Sequence, residues 1–460
     1  MTRSSKSLIL PCENRTRELD GKLLLGCVAA ERGFRVFIGA KREINIQAVR
    51  LPRSIYLQKS LSKRSYRMYD ILERLGHWIV TADEEGVVYY SGKHLWHDRM
   101  HPKTFAKARA LLAWGPDNEE LWRRYPAFPG APIVVTGNPR IDLLRPELRS
   151  FFDDEVKEIR ARLGPFVMIN TNFGGVNHYF PRRSVDLHRA EAAENDRSKA
   201  ETFEVGLSRH LLALFRAFVT MLPALARALP DRTIVVRPHP SESHDPWLRA
   251  AHDCPNVHVI HEGNVVPWLI ASDALIHNGC TTGLEGHILG TPVIAYEPVT
   301  AEPFDLHLPN DVSHRASDIA GLTKLVEALS RDDKATDHRE TVQRRETVDR
   351  YIAALRGPLA SDRMCDALET FEAQWRGELP PGAWRRATGL IHGRVRGLEK
   401  WFNLMRSQHN NSRSYIDHVF SELRTEDVEI RLSRFRRALG RFENVRVRPQ
   451  TRNVFELSAI

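Results

Sequence analysis

Ser7-Leu8-Ile9-Leu10 is a short apolar run closed by Pro11, and Phe34-Arg35-Val36-Phe37-Ile38-Gly39 is a second. Between them Leu19, Leu23, Leu24, Cys27 and Ala30 recur at helical spacing from Glu18 to Arg32, with Gly33 where a helix C-cap belongs. Strand, helix and strand joined by short links make a βαβ unit, and such units build parallel sheets. Similar units recur up to Pro132-Ile133-Val134-Val135, which runs into the turn Thr136-Gly137-Asn138-Pro139.

A second series begins at Pro165. Phe166-Val167-Met168-Ile169-Asn170 reads as a strand with Thr171-Asn172-Phe173-Gly174-Gly175 as the loop at its end. Residues 176–205 are charged and irregular and read as an inserted loop, followed by a helix over 207–229. Thr233–Arg237, Val257–Ile260, Asp273–His277 and Pro292–Tyr296 read as further strands, with a helix at about 283–289. The expected fold is α/β, with two Rossmann-like domains facing a cleft and ligand at the carboxyl ends of the strands. The boundaries expected are 1–155, 156–311, and a helical, basic extension over 312–460 that lacks strand runs until its last dozen residues.

Composition narrows the class. The 460 residues, 42% hydrophobic and 27% charged, are those of a globular protein rather than a disordered or fibrous one. The most apolar stretch, Leu211 to Leu229, is interrupted by Arg216, Pro223 and Arg227 and reads as a buried helix, not a membrane span. Five scattered cysteines without a CxxC pair exclude a disulfide framework and a zinc knuckle. No leader is evident before Pro11, so a reducing, cytoplasmic compartment is expected.

The net charge of +9 is uneven: residues 381–460 carry 16 Lys/Arg against 8 Asp/Glu, and the first 380 carry 51 against 50. Arg431 to Arg437 and Arg446 to Arg448 interleave basic and apolar residues, which suits an anionic lipid surface over residues 391–460. A solvated helical face explains the same pattern without a partner. No nucleic-acid-reading motif accompanies the charge, so nucleic acid is not an expected partner.

Two segments carry the sharper chemistry. In Arg237-Pro238-His239-Pro240 two prolines stiffen the backbone around one imidazole at a strand end, beside a permanent cation. His239 can donate toward a phosphate leaving group while Arg237 neutralises charge; the plainer reading is a His that rigidifies a turn. Asn278-Gly279-Cys280-Thr281-Thr282-Gly283-Leu284-Glu285-Gly286 follows a strand and opens a helix. Its glycines (Gly279, Gly283), its hydroxyls (Thr281, Thr282) and the helix N–H groups suit an anion, although the spacing is neither a Walker loop nor a dinucleotide fingerprint. One of the two threonines would also serve as helix cap. Glu262 and Glu285 are placed to hold ribose hydroxyls.

In the first half, Asp83-Glu84-Glu85-Gly86 sets three acids in one turn, where mutual repulsion can raise a pKa toward general-base duty. Glu13, Arg17, Glu18 and Asp20 are dense near the end of the first strand. The histidines show no metal-ligand spacing, so neither metal nor cofactor is expected.

Glu84-Glu85-Gly86, Arg237-Pro238-His239-Pro240 and Thr281-Thr282 together resemble the motifs of GT-B bacterial sialyltransferases and related keto-sugar acid transferases that use CMP donors. The chain to about residue 310 also resembles a broader group of bacterial surface-carbohydrate (O-antigen or capsule) biosynthesis proteins. That likeness rests on Glu13 with Arg17-Glu18-Leu19-Asp20, the acidic turn, Asn138 in Thr136–Arg140, and Asn170, Asn172 and Gly174 in the loop after the Phe166 strand. The resemblance implies an inverting glycosyltransferase of surface polysaccharide acting on a nucleotide sugar, with a glycan or lipid-linked acceptor. By it, one carboxylate of Asp83, Glu84 and Glu85, with Glu85 preferred, deprotonates the acceptor, His239 assists departure of CMP, and Thr281 with Thr282 holds the phosphate. The alternatives are a CDP-alcohol phosphotransferase, a UDP-sugar epimerase on the same fold, or a non-catalytic binder of glycan or lipid-linked intermediates.

Overall fold

The structure, a computed structural model, describes residues 6–180, 184, 203–330, 338–405, 412–413, 416–417 and 420–460. Its strands in chain order are β1 (Ser7–Cys12), β2 (Arg35–Ala40), β3 (Ile55–Gln58), β4 (Trp78–Thr81), β5 (Ala110–Ala113), β6 (Ile133–Val135) and β7 (Phe166–Asn170). Then follow β8 (Thr233–Arg237), β9 (Val257–Val259), β10 (Ala274–His277), β11 (Val293–Tyr296), β12 (His314–Ala316), β13 (Val445–Thr451) and β14 (Val454–Ala459). The chain divides into two compact units, residues 1–151 with 348–460, and residues 152–347.

The first unit is built on a sheet of order β13-β14-β2-β1-β3-β4-β5-β6, parallel from β1 to β6, with β14 antiparallel to β2. The Arg15–Glu31 helix starts at Asn14, whose side chain accepts from the Arg17 N–H at 3.1 Å. It is buried on every side from Glu18 to Ala30, so it is a core helix rather than an amphipathic one. The second unit holds a six-stranded parallel sheet, β12-β11-β10-β7-β8-β9. Leu214, Phe218, Met221, Leu222 and Leu225 of the Phe203–Ala228 helix lie in the core against its strands. That helix is long and apolar enough to cross a membrane, but its apolar residues serve this core.

Two expectations are revised. The last 113 residues form no separate extension: residues 312–347, including β12, belong to the second unit and residues 348–460 return to the first. After the acidic turn, Val87 is buried and the Tyr89 hydroxyl donates to Asp117. The helix expected from 207 begins at Phe203, while 181–183 and 185–202 of the expected inserted loop lie outside the described residues.

The return of the chain is anchored at Asp142, whose buried carboxylate accepts from the Ala360 N–H (2.7 Å), the Ser361 N–H (2.9 Å) and the Ser361 hydroxyl (2.8 Å). These are the unpaired donors that open the Ala360–Trp375 helix. Asp142→Ala strips that helix of its cap from 218 positions away. It is expected to destabilise the first unit by about 2–3 kcal/mol in urea unfolding, with no change in the second.

The basic windows near the C-terminus are largely engaged within the unit. Arg431 pairs with Asp20 at 2.7 Å, and Arg436 donates to the carbonyls of Phe442 (3.2 Å) and Val445 (2.8 Å). Arg434 lies over the Phe151 ring and Arg446 donates to the Glu443 carbonyl.

Candidate active site

In a parallel sheet the ligand crevice opens where successive strands diverge to opposite sides. In the second unit that point lies between β7 and β10, since β8 and β9 continue one way and β10 to β12 the other. Asn170 ends β7 and reaches across, donating from Nδ2 to Thr282 Oγ1 at 2.8 Å. Thr282 is buried, whereas Thr281, the first residue of the Thr281–Leu289 helix, is half-buried at the crevice. Cys280, not either threonine, occupies the cap position, and its side chain makes no capping bond. No side-chain oxygen caps the first N–H groups of this helix; the Gly283 N–H turns back to the Cys280 carbonyl at 3.0 Å. Asn278 Oδ1 is buried with no hydrogen-bond partner among the described residues.

The Asn278-Gly279 turn is held from beneath by His277. Its Nδ1 accepts from the Gly279 N–H at 2.9 Å and its Nε2 meets Ser313 Oγ at 2.9 Å, whose proton goes to the Pro309 carbonyl. Burial pushes the His277 imidazole down to about 3, so it stays neutral. It is a positioning residue.

His239 follows β8. The Ser241 N–H donates to its Nδ1 at 3.2 Å, and Ser241 Oγ lies 2.8 Å from the same nitrogen. A main-chain N–H can only donate, so Nδ1 is unprotonated and the ring proton sits on Nε2. His239 is thereby set as a neutral donor through Nε2–H. The turn itself is organised by Glu242, which is 1% exposed. Oε1 of Glu242 accepts from Thr171 Oγ1 (2.7 Å), Phe173 N–H (2.9 Å) and His239 N–H (3.1 Å); Oε2 accepts from Trp247 Nε1 (3.2 Å) and Asn177 Nδ2 (3.5 Å). Burial raises the Glu242 pKa against these hydrogen bonds. One carboxylate thus ties the loop after β7 to the turn after β8. Gly174 lets them approach: a Cβ there would stand 2.1 Å from Ser241 Oγ.

Arg237 has a different place from the one its motif implied. Its guanidinium is buried, donates to the carbonyls of Glu262 (2.8 Å) and Gly263 (3.3 Å), and lies 4.8 Å over the Trp268 ring. Burial lowers its pKa to about 9. It braces the loop after β9 rather than offering its charge to a phosphate. The Glu262 carboxylate, expected at ribose, turns to Arg162 at 3.0 Å. Glu285 is buried one turn into the Thr281–Leu289 helix, and Pro240, Asn172 and Gly174 are half-buried around the His239 turn and the β7 loop.

In the first unit the divergence point lies between β1 and β3, and an ion-pair network fills it. Glu13, just beyond β1, meets Lys59 at 2.8 Å and Lys41 at 3.1 Å. Burial would raise its carboxyl, but these two lysines hold it down at about 2. Glu18 is fully enclosed and pairs with Lys59 (2.5 Å) and Lys22 (2.9 Å), and Lys22 also meets Glu84 at 3.1 Å.

The acidic turn is therefore not three mutually repelling carboxylates. Arg99 bridges Asp83 (2.8 Å) and Glu85 (2.5 Å), while Lys22 takes Glu84. Burial raises the Asp83 carboxyl. Glu85 would also be raised by burial, but Arg99 and Arg17, the latter 3.7 Å away, keep it below the usual carboxylate range. Glu84 is buried and Glu85 exposed, so of the two Glu85 is the one a substrate can reach. Asn138 is buried, and its side chain accepts from the Arg140 N–H at 2.9 Å as the cap of a short helix.

Sequence reasoning did not find Glu242, Ser241, His277 or Arg99. Glu242 lies three residues after His239, within a polar run that reads as solvated loop; its only signal is that closeness to the Pro-His-Pro turn. Among the described residues no group of three His, Cys, Asp or Glu side chains is placed to hold a metal ion.

No family model matches the chain, and no curated protein matches it. Solved structures do. A structure of the wall teichoic acid polymerase TagF, soaked with CDPG, aligns with a TM-score of 0.52 at 12% identity, covering 81% of this chain and 90% of that one. A UDP-N-acetylglucosamine 2-epimerase aligns with a TM-score of 0.50 at 14% identity, covering 83% of this chain and 99% of that one. The chain is thus an α/β protein with two parallel-sheet Rossmann-like domains of the GT-B type.

Proposed function

We propose that the chain is an inverting glycosyltransferase of surface polysaccharide synthesis that uses a cytidine-activated sugar, with a CMP-linked nonulosonic acid as the preferred donor. The observation that carries this reading is the crevice between β7 and β10. There an unpartnered buried Asn278 Oδ1, the uncapped start of the Thr281–Leu289 helix and the Nε2–H donor of His239 lie on adjoining loops of one sheet edge. Helix N–H groups and Thr281 suit the donor phosphate, and Asn278 Oδ1 suits an N–H or O–H of the donor.

In the proposed reaction the sugar–phosphate bond breaks and the electron pair leaves on the phosphate oxygen, which accepts a hydrogen bond from His239 Nε2–H. The acceptor hydroxyl attacks the anomeric carbon and its proton passes to a general base; Glu85, ionised at neutral pH, is the first unit's candidate for that role. The nucleotide leaves as CMP, and no metal or cofactor is called upon. The likeness of fold to a polymerase structure soaked with CDPG supports a cytidine nucleotide, and a CDP-alcohol transfer keeps the same crevice. The fold shared with a UDP-N-acetylglucosamine 2-epimerase supports a second reading, a UDP-sugar epimerase.

A thermal-shift panel of CMP, CDP, UMP, UDP, GDP and ADP separates these readings. A nucleotide at 100 times its dissociation constant adds about 2.7 kcal/mol of stability. The proposal expects CMP to stabilise most and the shift to vanish in Thr281→Val with Asn278→Ala. A preference for CDP or UDP moves the function to the phosphotransferase or the epimerase. No shift with any nucleotide leaves a non-catalytic binder.

A further inference from the structure

The Ala383–Asn403 helix has two faces of opposite chemistry. Its inner face packs on the Tyr66–Leu75 helix through buried Gly389, where a Cβ would stand 2.8 Å from the Arg74 side chain. Its outer face carries Trp384, Ile391, Val395, Leu398 and Phe402. Steps of seven, four, three and four residues bring all five onto one stripe. They are 82, 59, 43, 59 and 57% exposed, and Trp401 and Met405 extend the patch at 55 and 68%. A helix core contributes one such residue to solvent by chance; seven large apolar side chains on one helical segment mark an interaction surface.

Charge selects the occupant. The helix carries Arg385, Arg386, Arg394, Arg396 and Lys400 against one acid, Glu399, and that acid is held by Arg67 at 2.9 Å. Arg386 and Arg394 are exposed. Arg385 pairs with Glu73 at 3.2 Å, and Arg394 borders the stripe; a second copy laid stripe to stripe would set the two Arg394 side chains against each other, which like-charge repulsion opposes. An anionic bilayer meets both features at once: phosphates for Arg394 and an acyl boundary for the stripe. Trp384 and Trp401, near the two ends of the helix, are the side chains that settle at headgroup depth when a helix lies flat.

We propose that the outer face of the Ala383–Asn403 helix docks the first unit on an anionic phospholipid surface, with the apolar stripe entering the interface and Arg394, at the border of the stripe, meeting headgroup phosphates. This places the lipid contact on one helix, rather than on the arginines of 431–448 that are largely engaged inside the unit. Deleting residues 391–460 cannot test it, because β13 and β14 are strands of the first sheet.

The test is co-sedimentation of the full chain with vesicles of phosphatidylglycerol and phosphatidylcholine, against phosphatidylcholine alone. Wild type is expected to bind the anionic vesicles and to release as salt rises. Leu398→Asp with Phe402→Ser, both at exposed positions, is expected to weaken binding about tenfold or more at an unchanged melting temperature. Arg394→Glu is expected to weaken the preference for phosphatidylglycerol. Equal binding by the stripe variant overturns the proposal. So does a wild-type dimer that the stripe variant converts to monomer, since the face would then join two copies. The nucleotide response of the second unit is read separately, so failure here leaves the donor reading untouched.

Discussion

His239→Ala loses group transfer by about 10³-fold or more while the protein melts within a few degrees of wild type. The two effects separate because the His239 main chain, not its ring, holds the turn: its N–H donates to Glu242 at 3.1 Å and survives the substitution. What disappears is Nε2–H, the donor offered to the leaving phosphate. Ser241→Ala removes the hydroxyl 2.8 Å from Nδ1 but keeps the N–H that fixes the tautomer, so a loss of about tenfold is expected. Steady-state assays of CMP release on the three proteins check this order. A His239→Ala enzyme with near wild-type kcat contradicts the assigned role.

Glu242→Ala is the substitution with the largest expected effect on stability. It leaves the Thr171 hydroxyl, the Phe173 and His239 N–H groups and the Trp247 indole N–H without their acceptor, in a place closed to water. A buried network that loses its central acceptor costs about 3–5 kcal/mol. For a unit of this size that is a fall of about 10 °C in melting temperature. Glu242→Gln keeps one oxygen and is expected to recover part of the loss. Because the same carboxylate ties the loop after β7 to the His239 turn, nucleotide binding falls with stability in this series. A Glu242→Ala protein that melts like wild type contradicts the account.

Much of the fold was legible because buried parallel strands read as uninterrupted apolar runs: Leu8–Leu10, Phe166–Ile169, Ile234–Val236 and Leu275–Ile276 carry no alternation to confuse. β12, His314-Arg315-Ala316, was not legible, since three residues at a sheet edge leave no pattern. The return of residues 348–460 to the first unit depends on contacts such as Asp142 with Ala360, and periodicity carries no information across 218 positions.

At the site, the motifs placed His239, Thr281 and Thr282 at strand ends of the second unit, where the structure has them. The motifs did not show the residues that position them. The carboxylates of the acidic turn looked repulsive in sequence because Arg99 and Lys22, which neutralise them, come from elsewhere in the chain. Arg237 looked like a phosphate ligand for the converse reason: nothing local shows that two carbonyls 25 and 26 residues later take up its guanidinium.

The central claim is that a nucleotide binds at the carboxyl edge of the second sheet, between β7 and β10. Hydrogen–deuterium exchange of the full chain with and without saturating CMP or CDP tests it most directly. The account predicts slowed exchange in residues 170–174, 239–243 and 278–284. Slowing confined to the first unit, or to other segments of the second, contradicts it.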